Sequence, residues 1–270
     1  MNINKGFIVN SQVVSEKHIA VCIKNLQEYE LDDVMTIRPR SMFTVGDSVE
    51  EPSKASIVGE GVLSFSSGLS GENRSDAQNA FLFASLVANK KYPEEYQGVE
   101  WYQLFRRVMA DAGWTAVSKY YNDLNISGTS VRMDKLVLEI LGSVVAGLAL
   151  PGPTTALMLK VAGDAISALQ KRDTALTVYE RNLLTHGVGG VTAGACTEHN
   201  GVAIMALGAV RFLRRNTSTK VLFVDVDTRS VKLYRGETLF EKNDLVAKGA
   251  RATIESKLIA HTGKIADYDI

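Results

Sequence analysis

The chain has 270 residues, of which 46% are hydrophobic and 22% charged, with 30 Lys+Arg against 30 Asp+Glu. That composition supports a packed core and excludes a disordered or collagen-like chain, and zero formal net charge removes the electrostatic footprint of non-specific nucleic-acid binding. Two cysteines, Cys22 and Cys196, are too few for a disulfide framework, and neither zinc spacings nor C-x-x-C occur.

Taken in chain order, MNINKGFIVNSQ lacks the apolar h-region of a signal peptide, so the chain is expected to be made in the cytoplasm. Ser15 can cap a helix running to about Leu31, with Ile19, Ile23 and Leu26 on one face and Cys22 as a small buried hydrophobe. From Asp32 to Lys54 the pattern is irregular, and SIVGEGVLSFS (56–66) contains a short alternating strand. The Ser/Gly run SSGLSGENRS (66–75) reads as a linker or surface loop. Ser75 then caps a helix that ends before Pro93, and a second helix over about 98–112 places Trp101, Leu104, Phe105, Val108 and Met109 on one face, stopped by Gly113. WTAVSKYYNDLNI (114–126) has the β-branched and aromatic content of a strand.

LVLEILGSVVAGLAL (136–150) carries one charge, Glu139; PGPT turns the chain, and TALMLKVAGDAISALQKR follows as an amphipathic helix. Fifteen residues at about 1.5 Å each reach only ~22 Å, short of a ~30 Å hydrocarbon core, so a buried helical hairpin is expected. A conditional membrane-inserting or pore-forming hairpin is the alternative. The last third predicts antiparallel sheet: ALTVYER (175–181), GVAIMALGAVRFL (201–213), and KVLFVDVD (220–227) turning at TRS to pair with VKLYRGETLF. Asn243 or Asp244 caps a closing helix to about His261. The expected fold is α+β in a single domain, 1–270, with an irregular region 1–74 and a main body 75–270. N-terminal helices and the apolar hairpin would pack on a mainly antiparallel C-terminal sheet.

Few residues carry recognisable chemistry. GVGGVT (187–192) lacks the third glycine of a dinucleotide loop, and Walker A is absent, so no nucleotide is expected and the run reads as an inter-strand loop. Asp225 and Asp227 share a strand face as an exposed edge. Arg211, Arg214, Arg215 and Lys220 form the densest basic cluster, read as a solvated strand end. Cys196, in the glycine-flanked GACTEHNG (194–201), admits four readings: a buried filler, a nucleophile paired with His199 in a hydrolase or acyltransferase, a metal ligand with His199 and His186, or an acylation site. No metal or cofactor is expected from the spacing.

NAFLFASLVANKKY, EWYQLFRRVMADAGW, GTSVRMDKLVLEIL, CTEHNGVAIMALG and TKVLFVDVDTRSVKLY, spread from Asn79 onward, resemble the family of the bacterial virulence factor Evf and related insect-associated proteins. The resemblance implies an α/β or α+β fold, no established enzymatic activity, and a virulence or insecticidal role as a toxin released onto host gut cells or membranes. It also implies a palmitate joined by thioester to one cysteine, which would be Cys196. An apolar groove in the hairpin, lined by Leu138, Leu141, Val145, Leu148, Leu157 and Val161, would then hold the acyl chain. The expected partners are a host membrane or the acyl chain itself, with oligomeric state open. Burying a palmitoyl chain at about 0.8 kcal/mol per CH₂ makes on the order of 10 kcal/mol available.

Overall fold

A computed structural model of the chain describes residues 16–32, 43–45, 53–59, 61–148, 150–171, 176, 189–214 and 222–266. Its centre is a seven-stranded sheet in the order β1-β2-β3-β6-β7-β9-β4. The strands are β1 (Phe43–Val45), β2 (Ser53–Val58), β3 (Gly61–Phe65), β4 (Trp114–Leu124), β6 (Gly189–His199), β7 (Val202–Arg214) and β9 (Val231–Lys242). Only the β3–β6 pair is parallel; every other neighbour pair is antiparallel. β5 (Ser130–Arg132) and β8 (Asp225–Asp227) form a separate two-stranded ribbon. The fold is α+β, as the sequence predicts, but the N-terminal strands join the same sheet rather than standing apart from it.

Helices cover both faces of the sheet. On one lie α4 (Met133–Ala146) and α5 (Gly152–Gln170), the predicted apolar hairpin, seated on β6, β7 and β3. On the other lie α2 (Gly71–Lys91) and α3 (Gly98–Asp111), bordered by α1 (Glu16–Glu28) and α6 (Asp244–Ala266). Strand alternation sorts side chains between the two layers. Val191, Ala193 and Ala195 of β6 and Ile204, Ala206 and Val210 of β7 face the hairpin, whereas Cys196, Ala203, Met205 and Leu207 face α2 and α3. Small residues in the central strands let the helices come close. A Cβ on Gly208 would lie 2.5 Å from the backbone nitrogen of Leu141, so α4 crosses the sheet at that glycine.

Three boundaries differ from expectation, each for a local reason. The run 66–75 is not a linker: Ser70 caps α2, its hydroxyl accepting from the Asn73 amide at 3.1 Å, so the helix starts before Ser75. The bend after Cys196 is also displaced. β6 continues to His199, and the turn is Asn200-Gly201, with φ of 52° and 75°, joining His199 to its partner Val202. That is the left-handed pair that Asn-Gly adopts in two-residue hairpins. Finally, β8 does not pair with β9. It pairs with β5, a 3₁₀ turn over Thr228–Ser230 intervenes, and β9 lies between β7 and β4.

The remaining elements follow their sequence signals. Gly113, at φ +90°, ends α3 where any side chain would strike the backbone of Ala247 at 2.5 Å. Asn243 caps α6, its Oδ1 accepting from the Val246 amide at 3.2 Å. Most of the strand predicted over 175–181 lies outside the described residues.

Candidate functional site: the Cys196 thiol and its surroundings

Cys196 sits near the C-terminal end of β6, opposite Phe65 in the parallel register with β3 and opposite Met205 in the antiparallel register with β7. All three are within the layer under α2 and α3, and Cys196 is 1% exposed. The predicted accessible bend is therefore corrected: the sulfur points from a central strand into an apolar layer. That layer is aromatic. Phe65, Phe81, Phe83, Trp101, Phe105, Trp114 and Phe240 all bury their rings in it. Phe81 meets Phe105 edge-on at 5.4 Å between centroids, and Trp101 stacks on Phe105 at 5.2 Å. Burial is the one influence acting on the Cys196 thiol, and it pushes the pKa well above the ordinary thiol range. A sulfur in that setting stays protonated near neutrality and is not an activated nucleophile.

The predicted partners do not converge on it. Successive side chains alternate across the sheet, so Cys196 and Glu198 face α2, while His199 takes the opposite face. Glu198 Oε2 accepts from Asn73 Nδ2 of α2 at 2.8 Å, and the His199 Nε2 lies 3.1 Å from Asn200 Nδ2. The structure thus does not assemble the Cys196/His199 pair. His186 lies outside the described residues, and among those described there is no group of three or more metal-ligating side chains.

The proposed lipid groove is displaced as well. Leu141, Val145 and Val161 are buried on the hairpin side of the sheet, with Leu138 and Leu148 half-buried against the same layer; Leu157 is exposed. All belong to the face opposite the sulfur. The sheet itself separates Cys196 from the hairpin, so the two cannot form one tunnel. No described helix is long and apolar enough to cross a membrane.

Other residues singled out by the sequence have plainer positions. Arg211, expected on a solvated strand end, is 2% exposed and lies over the Trp101 ring, its guanidinium carbon 3.6 Å from the ring centroid. Gly190, expected in a loop, is in β6, where a Cβ would collide with that guanidinium. Asp225 and Asp227 are exposed, and Asp227 receives the Arg229 amide at 2.9 Å and its guanidinium Nη2 at 3.1 Å. Cys22 is buried on α1 as expected, with His18 Nε2 3.6 Å from its sulfur; burial first, then the Asp111 carboxylate, raise its pKa to about 11.

The sequence reading missed a buried ionic network at the mouth of the Cys196 layer. Asp76, in the second turn of α2, receives Arg251 of α6 through two bonds of 2.8 and 2.9 Å and Lys242 of β9 at 2.8 Å. The Lys242 side chain is 2% exposed and also reaches Asp244 at 3.0 Å and Asn73 at 2.5 Å; Asn73 in turn donates to Glu198. Burial alone would raise the Asp76 pKa, but the bonds from Arg251 and Lys242 outweigh it and hold the carboxyl below its usual range. Burial likewise works against the charge of Lys242, and the Asp76 and Asp244 bonds override it and raise its pKa. The signal was faint in the sequence: the six residues come from α2, β6, β9 and α6, and only Asp76 and Asn73, at i, i+3, share a helix face.

No family model matches this chain, and no curated protein matches it. Among solved structures, one described as the structure of the Evf virulence factor is similar at 12% sequence identity with a TM-score of 0.31, covering 88% of this chain and 89% of that one. At that TM-score no residue role or activity is carried over from it.

Proposed function

We propose that this chain is a non-enzymatic virulence effector of the Evf type that carries one fatty acyl group, palmitate, as a thioester on Cys196. The sequence resemblance from Asn79 onward supports the class. The observation that carries the residue assignment is a thiol without a polar partner in the middle of an aromatic layer. A thioester has no charge to solvate and its chain needs apolar contact, so such a layer offers it what water cannot. The chain would lie between the sheet and α2/α3, not under the α4/α5 hairpin.

A consequence follows from the burial. With Cys196 1% exposed, acylation must precede the closing of α2 and α3 over the sheet. The folded protein is then inert to acyl donors and to thiol reagents, and the acyl group leaves its layer only when those helices part. A single acyl chain holds a protein at a membrane weakly and reversibly, so its exposure would act as a switch and not as a permanent anchor. Intact-mass measurement on protein isolated from the producing cell tests the reading. One extra palmitoyl group, removed by neutral hydroxylamine once the protein is unfolded and missing from Cys196→Ser, is the expected result. An unmodified mass in folded, freshly isolated protein overturns it.

A further inference from the structure

Among the described residues β4 closes one side of the sheet, and it is a long edge: eleven residues, most of them exposed. An edge strand presents a row of unpaired backbone donors and acceptors, a template for another strand. Half of the exposed large hydrophobic side chains among the described residues gather here. Val117 (44%) and Tyr120 (48%) are on β4, and Tyr96 (75%) and Val99 (44%) flank the start of α3, which touches β4 where Gly98 meets the Tyr121 hydroxyl. A cavity of ≈ 420 Å³ lined by Val99, Tyr121, Asn122, Asp123 and Tyr234 opens at the same border. Inside it the Tyr121 hydroxyl is buried with no hydrogen-bond partner, and its ring stacks on Tyr234 at 5.9 Å.

We propose that β4 is where two copies of this chain pair, edge to edge and antiparallel, about a two-fold axis through Tyr121. The charges choose this occupant. The β-bulge lies between Ala116 and Ser118, so Ser118–Leu124 is a regular stretch that can pair without interruption. Centred on Tyr121, that stretch is self-complementary. Lys119 falls opposite Asp123 of the second copy, Asp123 opposite its Lys119, and Tyr120 opposite its Asn122. A lysine on an edge normally repels a strand that approaches it. Here the approaching strand brings an aspartate to the same position, twice by symmetry, and an isologous contact forms. The two Tyr121 rings then meet across the axis and close the cavity from both sides, while the exposed Tyr120 gains a neighbour on the other face. The product is a continuous sheet of fourteen strands, twice the seven of one copy.

Sedimentation velocity of the full chain across a concentration series tests this directly. The wild-type chain is expected to approach the mass of two copies, and Lys119→Asp, which sets like charges opposite each other, to weaken association on the order of tenfold or more. The double variant Lys119→Asp/Asp123→Lys restores the opposite signs and is expected to recover the wild-type association. Tyr120→Glu, on the other face of the strand, is expected to weaken it too. Unfolding midpoints equal to wild type, measured at a dilution where every chain is monomeric, show that the exposed substitutions leave each copy folded. A chain that stays monomeric to about 100 µM, a dimer indifferent to Lys119→Asp, or a double variant no better than the single one would each overturn the proposal.

Discussion

The two faces of the sheet are built from different materials. The face under α4 and α5 is aliphatic: Ala, Val, Leu, Ile and Met fill it, with Phe212 its one fully buried aromatic among the described residues. The face under α2 and α3 holds seven buried Phe and Trp rings plus Tyr102, whose hydroxyl bonds Thr238, and it alone is bordered by the Asp76–Lys242–Arg251 network. Small aliphatic residues permit backbone-to-backbone approach, as at Gly208 and Leu141, so the first face is thin and stiff. On the second face the rings are held by edge-on and stacked contacts, and the ionic network lies at the border. The difference teaches where a ligand can enter. A layer made of backbone contacts has nothing to give way, whereas a layer of large side chains behind a polar latch can part as a unit.

The contrast can be broken most severely at the latch. Asp76→Ala leaves Arg251 and the buried Lys242 short of their shared carboxylate, and a loss of about 3–5 kcal/mol in denaturant unfolding is expected. The same network sets the pH response. Asp76 has a depressed pKa, so its contribution is present above the ordinary carboxylate value, about 4, and is lost as pH falls through the lower folded value. Lys242 has a raised pKa, so its contribution is complete below about 10.4 and disappears as pH climbs through its higher folded value. Thermal midpoints should therefore be flat between these limits and fall outside them, and Asp76→Ala should flatten the acid limb.

Next in size is Gly208→Ala. Its new methyl meets Leu141 backbone at 2.5 and 2.9 Å, atoms that cannot rotate away, and about 2–3 kcal/mol should be lost. Gly194→Ala, on the aromatic face, meets the ends of the Leu63 and Leu207 side chains, which can turn, so about 1 kcal/mol is expected. Equal losses at the two sites would erase the proposed difference in stiffness. Cys196→Ser buries a hydroxyl in the aromatic layer and should cost about 1–3 kcal/mol in protein without an acyl group, as read by urea midpoint. Smallest is Lys119→Asp, an exposed change expected to stay within about 0.5 kcal/mol, so its effect on association stands apart from any effect on folding.

Much of the framework was legible in the sequence. The apolar hairpin, the α3 stripe ended by Gly113, and the Asn243 cap of α6 each rest on contacts within a few residues, where periodicity and capping act. The Asn-Gly pair at 200–201 is a hairpin signal that the expected bend around Cys196 did not use: taken as the turn, it places Cys196 inside a strand. The pairing of β8 was not. VDVD and VKLYRG alternate as a hairpin would, but β9 finds longer partners in β7 and β4, and β4 lies more than a hundred residues before it in the chain.

What the sequence by itself determined was which segments are helix or strand and that they are apolar enough to bury one another. Tertiary structure alone decided which face each side chain joined. A strand's two faces differ by a single residue of register, and nothing local tells Cys196 whether the hairpin or the aromatic helices will lie beneath it. That choice is made when both helical layers close on the sheet, and it puts the sulfur among the rings and the predicted groove on the far side.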